Sequence, residues 1–152
     1  KWFDRCDGRY FLSGGDVKRF QRKILANWCI SKKDKINKIL EIGAGNGFPL
    51  ALLSNMLDAE CIGIEPSKKA VREWEKRKEN TEGGLKTKLQ VGIASQLPFK
   101  EDAFDMVIFG HCLYLFDRKD LYKSVAEADR VLKDGGFLAI NDFDPSVINS
   151  NE

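Results

Sequence analysis

The sequence predicts an α/β fold, a doubly wound and mostly parallel sheet flanked by helices. Three observations predict it. Residues 38–49, KILEIGAGNGFP, run from a short apolar stretch into glycines at alternate positions, Gly43, Gly45 and Gly47, and then into a helix-like segment. That is the strand, Gly-rich turn and helix order of a nucleotide-binding α/β domain. Short apolar runs then alternate with amphipathic stretches up to residue 142, and strands separated by helices pair in parallel through right-handed crossovers. Finally, the second apolar run ends in an acid, Glu65, at the carboxyl end of its strand, where open sheets of this kind hold ligands.

Composition sets the outer limits. A chain of 152 residues with 43% hydrophobic and 32% charged side chains fits one globular domain with a real core. No apolar run approaches the ~18 residues that a membrane span needs, so no membrane partner is expected. Lys+Arg 25 against Asp+Glu 23 leaves +2. The lysines of KKDKINK, SKKA and EKRKEN sit among acids on predicted helix faces, which reads as solvated surface, and no nucleic-acid partner is expected. Cys6, Cys29, Cys61 and Cys112 show no paired spacing and His111 is the single histidine. A metal site therefore lacks ligands, and reduced thiols in a cytoplasmic protein are the plain expectation.

The elements follow in order. Residues 1–36 are read as an N-terminal flap and helix. Trp2, Phe3, Tyr10 and Phe11 are either a flap over a ligand or a lid on the core, and Asp16 caps a helix that places Val17, Phe20, Ile24 and Trp28 on one face. Residues 37–152 are the ligand-binding domain. Lys38 to Ile42 is the first strand, buried on both faces, and Pro49 opens a helix whose face is Leu50, Leu53 and Leu57. CIGIEP (61–66) is the second strand, and Ser67 caps a second helix. Gly83-Gly84 marks a turn, residues 85–92 a third strand, and Phe104 to Phe109 a fourth. The segment DRKDLYKSVAEADRVLK puts Leu121, Val125, Ala128 and Leu132 on one helical face, Asp134-Gly135-Gly136 stops it, and FLAIND (137–142) is a fifth strand.

The glycine spacing separates two ligand classes. A dinucleotide fingerprint, G-x-G-x-x-G, would put its third glycine at position 48, where the chain has Phe48, and here that glycine comes one residue early, at Gly47. Glu41, two residues before the first glycine, is an awkward neighbour for a pyrophosphate and a good one for an ammonium and a sulfonium. On these residues EIGAGNG resembles the first motif of class I S-adenosylmethionine-dependent methyltransferases, of the small-molecule, methyltransferase type 11-like group. CIGIEPS, IASQLPFKEDAFDMVIFGHCLYLF and RVLKDGGFLAIND match three further motifs of that family in order, over about residues 37–142. The resemblance implies the Rossmann-like methyltransferase fold, here lacking its last strands, and S-adenosyl-L-methionine as cofactor.

Carried over residue by residue, the resemblance implies that Gly43, Ala44 and Gly45, with Gly47, give main chain to the cofactor and that Glu41 orients its amino group. It implies Glu65 on the ribose hydroxyls, Pro66 against adenine, Ala94 at the adenine edge and the Gly110 carbonyl near the ammonium. Ile93 stands where the family often has aspartate and cannot accept a bond from the adenine amino group. Its place is taken by Ser95 or Gln96, or adenine is held by apolar contact. His111, past the fourth strand, is the candidate catalytic base because histidine titrates near neutrality. The competing view is a histidine that bonds locally or shapes the acceptor pocket. Tyr114 is a second candidate, and Cys112 has nothing nearby to lower its pKa. The expected partner is a small-molecule methyl acceptor, with a homodimer as a possible assembly. Two other classes remain open, a non-catalytic binding or regulatory module of the same fold and a nicotinamide-dependent oxidoreductase, the last disfavoured by glycine spacing.

Overall fold

The computed structural model of the protein describes residues 20–79 and 86–142. The N-terminal aromatic segment, the Asp16 cap and the Gly83-Gly84 turn lie outside the described residues. Within them the chain forms β1 (Lys38–Ile42), β2 (Glu60–Glu65), β3 (Lys88–Val91), β4 (Phe104–Gly110) and β5 (Leu132–Asn141). These make one parallel sheet in the order β3-β2-β1-β4-β5. The helices are α1 (Phe20–Ser31), α2 (Phe48–Leu57), α3 (Lys68–Glu79) and α4 (Arg118–Val131). The chain builds β1, β2 and β3 outward in one direction and then returns to lay β4 on the other side of β1. That reversal opens a crevice at the carboxyl ends of β1 and β4.

Burial explains why the sheet is central. Ile39 faces one core cluster, with residues of α1, α2 and α3, while Leu40 and Ile42 face a second one, covered by α4. Phe104, Met106, Val107 and Phe109 of β4 are fully buried, and each such side chain contributes roughly 1.5–3 kcal/mol. An unbroken apolar run fits a strand covered on both faces. By contrast β3 is a short edge strand with only Leu89 buried, so its predicted span of eight residues contracts to four.

The helices depart from the sequence reading in the inner face of α4 and in the stop that follows it, and α1 is described only in part. Of the α1 face predicted from the sequence, Val17 and the side chains of Phe20 and Ile24 lie outside the described residues; among the described side chains of α1 the buried one is Cys29, with Leu25 partly buried beside it. Trp28 is 38% exposed and packs edge-on against Phe137 of β5, at 4.9 Å and 86°, which ties α1 to the sheet. In α4 the inner face is Ser124, Ala128 and Val131, with Val125 turned outward. Ser124 tolerates burial because its hydroxyl donates to the Asp120 carbonyl at 2.8 Å. Asp134-Gly135-Gly136 is not the helix stop. The chain turns extended at Leu132 (φ −82°, ψ 133°), and the glycines form a bulge inside β5, where pairing jumps from Phe104↔Leu132 to Met106↔Phe137.

Candidate active site

The Gly-rich loop takes its shape from its own backbone. Gly43, Gly45 and Gly47 have φ of 77°, 55° and 72°, a region that side chains disfavour. The loop folds back on β2, so that the N–H groups of Gly43 and Ala44 both donate to the Ile64 carbonyl, at 2.9 and 3.2 Å. Gly47 N–H donates to the Ala44 carbonyl at 2.9 Å, and Gly45 N–H to Glu65 Oε2 at 2.9 Å. The approach is close because Gly63 has no side chain. A Cβ there would collide with Leu89 and with Ala44, a requirement that the sequence reading missed. With these four N–H groups committed inside the protein, the loop is not the anion-binding nest that a phosphate ligand would use.

Glu65 closes the β2 side of the loop. Only 8% exposed, its carboxylate also accepts from Ser67 N–H at 2.9 Å, and Ser67 caps α3 through its hydroxyl, 3.3 Å from Ala70 N. Burial pushes the Glu65 pKa up, and the two backbone donors partly offset it. Gly92 N–H donates to the Glu65 carbonyl at 3.2 Å, which brings the residues after β3 to the same edge. There Ala94 is buried, while Ile93 is 54% exposed and bridges to Gln96. The loop that follows is clamped from α4. Arg130 donates to the carbonyls of Phe99 and Leu97, and Glu127 Oε2 accepts Leu97 N–H at 2.7 Å. The paired Arg130 guanidinium holds the Glu127 carboxyl down to about 2.

On the other side of the loop lies a cavity of about 280 Å³ between α1, α2 and the ends of β1 and β4. It brings together Glu41, Gly43, Ala44, Gly45, Gly110 and His111. Gly110 must be glycine, because a Cβ would collide with Glu41 Oε1. His111 is held at φ 51°, uncommon for a residue with a side chain, by donating its N–H to the Asn141 carbonyl at 2.7 Å. Asp142 Oδ2 accepts Leu113 N–H at 3.2 Å, fixing the turn beyond. Cys112 is buried with its thiol 3.2 Å from the Ile42 carbonyl. Burial and the nearby Glu41 push its pKa far up, which agrees with the view that it is no nucleophile.

The other sequence-singled residues lie elsewhere. Glu65, Pro66, Ile93 and Ala94 do not line this cavity and stand at the ends of β2 and β3. Gly47 packs behind the loop, where a Cβ would sit 2.8 Å from Trp74 Cε3. The sequence reading passed over Asn27 of α1, Asn141 of β5, and Phe48, Leu52 and Met56 of α2, all of which line the cavity. Asn141 was open to inference as the last residue of a strand beside β4, whereas the α2 residues had no such signal. Among the described residues no group of three or more histidine, cysteine, aspartate or glutamate side chains could hold a metal, and no helix is long and apolar enough to cross a membrane.

Comparison with known proteins bears on this arrangement. A family model described as a methyltransferase domain matches residues 40–140, the stretch from β1 to β5 that builds the site. The chain belongs to this methyltransferase-domain family. It is 34% identical over 110 residues to an uncharacterized methyltransferase, YcgJ, of Bacillus subtilis, covering 72% of this chain and 42% of that protein. It is 30% identical to the ubiquinone/menaquinone biosynthesis C-methyltransferase UbiE of Desulfotalea psychrophila, covering 98% of this chain and 59% of that protein. The crystal structure of the PH0226 protein from Pyrococcus horikoshii matches with a TM-score of 0.74 at 26% identity, over 91% of this chain and 65% of the other. The chain thus spans about half the length of these relatives. Its sheet order is that of the Rossmann-like methyltransferase fold, and family membership implies S-adenosylmethionine as cofactor.

Proposed function

We propose that the chain forms the cofactor-binding and reaction centre of an S-adenosylmethionine-dependent methyltransferase whose acceptor is a small molecule. The observation that carries this is the polarity of the Gly-rich loop. The N–H groups of Gly43, Ala44, Gly45 and Gly47 are committed within the protein, while Glu41 is among the residues that line the cavity and the Glu65 carboxylate stands across the loop. Acids on both sides of a loop whose own N–H groups are spent suit a ligand with an ammonium, a sulfonium and hydroxyl donors, and oppose a pyrophosphate.

In this reading Glu41 and the Gly110 carbonyl orient the amino group, and the main chain of Gly43 to Gly45 packs on the methionine part. Glu65 accepts the ribose hydroxyls, and Pro66, Ile93 and Ala94 flank adenine. Gly47 contributes by letting the loop close on Trp74. When bound, the cofactor supplies a methyl group activated by a positively charged sulfur. The protein's part is to hold the acceptor in line and keep water out. An acceptor proton, where there is one, would pass to His111 or to solvent. His111 follows Gly110 at the end of β4 and lines the same cavity, which supports that role. A cavity of about 280 Å³ and a net charge of +2 favour a small acceptor over a nucleic acid.

Titration calorimetry with S-adenosylmethionine, S-adenosylhomocysteine and NAD tests this reading. Micromolar binding of the first two without NAD is the expected result. Silence toward all three would favour a non-catalytic module, and binding of NAD alone would overturn the cofactor assignment.

A further inference from the structure

Helix α2, FPLALLSNML, is apolar almost all round. Leu50, Ala51, Leu53 and Leu57 are its buried face. Phe48, Leu52 and Met56 recur every four residues and so form a second stripe on one side of the helix, which the core does not use: Phe48 is 41% and Met56 49% exposed. All three line the cavity, as does Leu25 of α1. Glu41, His111 and Asn141 line it where β1, β4 and β5 finish, the edge at which α2 begins with Phe48, and Leu52 and Met56 lead away from that edge along the helix. One cavity therefore has a polar floor where the methyl would be transferred and an apolar arm leading away from it.

We propose that the methyl acceptor carries a hydrocarbon body that lies along this arm against Phe48, Leu52 and Met56, with its methylated atom at the polar end beside His111 and Gly110. The inference rests on the methyltransferase reading and narrows its acceptor class. A helix apolar on its outer side is one whose outer side is covered, and the cover here has to fit the apolar part of a cavity of about 280 Å³ in all, which also contains the reaction centre. The unbranched thioether of Met56 adapts to apolar groups of different shape.

The test uses 4-alkylphenols, from 4-methylphenol to 4-octylphenol, titrated into the protein saturated with S-adenosylhomocysteine. Each added methylene is expected to tighten binding threefold to fourfold until the arm is filled, the equivalent of about 0.8 kcal/mol per buried CH₂. Met56→Lys and Leu52→Gln should each flatten that dependence, weakening the octyl probe at least tenfold relative to the methyl probe, while S-adenosylhomocysteine affinity stays within twofold of wild type. A flat series with the cofactor product bound overturns the inference, as does a stripe occupied from within the protein, which would give the same flat series. A dependence that both variants leave intact would place the hydrocarbon elsewhere and overturn it too. Loss of S-adenosylhomocysteine binding with a normal series would instead overturn the cofactor reading, and with it the identification of the occupant as an acceptor.

Discussion

Replacing Glu65 by glutamine separates two tasks of one carboxylate. In the folded protein its oxygens each accept a backbone N–H at 2.9 Å, from Gly45 and from Ser67. Glutamine keeps one acceptor oxygen and turns an amide NH₂ toward the other donor, so one buried N–H is orphaned at a cost of roughly 1–3 kcal/mol. A neutral amide also escapes the desolvation that raises the Glu65 pKa, which puts the net loss of stability at the lower end, about 1–2 kcal/mol. Under the proposed ribose role of Glu65, the cofactor should lose hydrogen bonds to a charged group, worth roughly 1.5–3 kcal/mol, or about 10- to 150-fold in Kd. Urea denaturation measures the first quantity and calorimetry with S-adenosylhomocysteine the second.

The two effects also part in pH. Because burial holds the Glu65 pKa above its ordinary 4.5, this group's contribution favours the folded free protein below 4.5 and is lost as pH rises through the raised value. Ribose hydroxyls donate to the ionised form, so wild-type cofactor affinity should instead fall as pH drops through that value, and Glu65→Gln should lack this limb. A variant that is destabilised yet binds the cofactor within threefold of wild type at neutral pH would refute the ribose assignment.

Four further outcomes follow from the same geometry. The Glu127 carboxyl is lowered from 4.5 to about 2 by Arg130, at most about 3 kcal/mol and, for a partly exposed pair, roughly 1–2 after solvent screening. That stability is present above 4.5 and lost as pH falls toward 2, and a double-mutant cycle with Glu127→Gln and Arg130→Gln should recover it; a coupling near zero would dismiss the clamp. Gly110→Ala drives a Cβ into Glu41 Oε1 and should cost about 1–3 kcal/mol by overpacking and weaken cofactor binding at least tenfold, whereas wild-type affinity would count against the Glu41 role. His111→Asn, which tolerates the φ of 51°, should keep wild-type stability and change the pH profile of kcat, and an unchanged profile would remove the base. Burial pushes the Cys29 and Cys61 thiols up to about 11 and about 12 and Cys112 higher still, so mass mapping after iodoacetamide at pH 8 should find all three unmodified until urea unfolds the protein. Labelling of folded Cys112 would contradict its burial.

The sequence by itself determined the parts governed by neighbours along the chain. β1, its Gly-rich turn and the start of α2 were legible because an apolar run, φ-permissive glycines and Pro49 act locally, and Glu65 because it ends an apolar run in a chain of alternating elements. The one-residue shift to Gly47 and the acid at Glu41 even indicated the charge of the ligand. The helix faces were less legible. In α4 the inner face passes through Ser124, since a hydroxyl that bonds back to Asp120 buries as readily as a small apolar group, and hydrophobicity alone points to Val125.

Only the tertiary structure decided what depends on contacts between distant residues. The return of β4 to the side of β1 put Gly110 against Glu41 and His111 beside Asn141. The fold brought Leu25, Ala26 and Asn27 of α1 to the same cavity as Phe48, Leu52 and Met56 of α2, the last three being, in sequence, only further apolar positions of an apolar helix. Periodicity records which residues leave water, whereas which of them meet a ligand depends on where another element stops packing against them, and that is fixed by the whole fold.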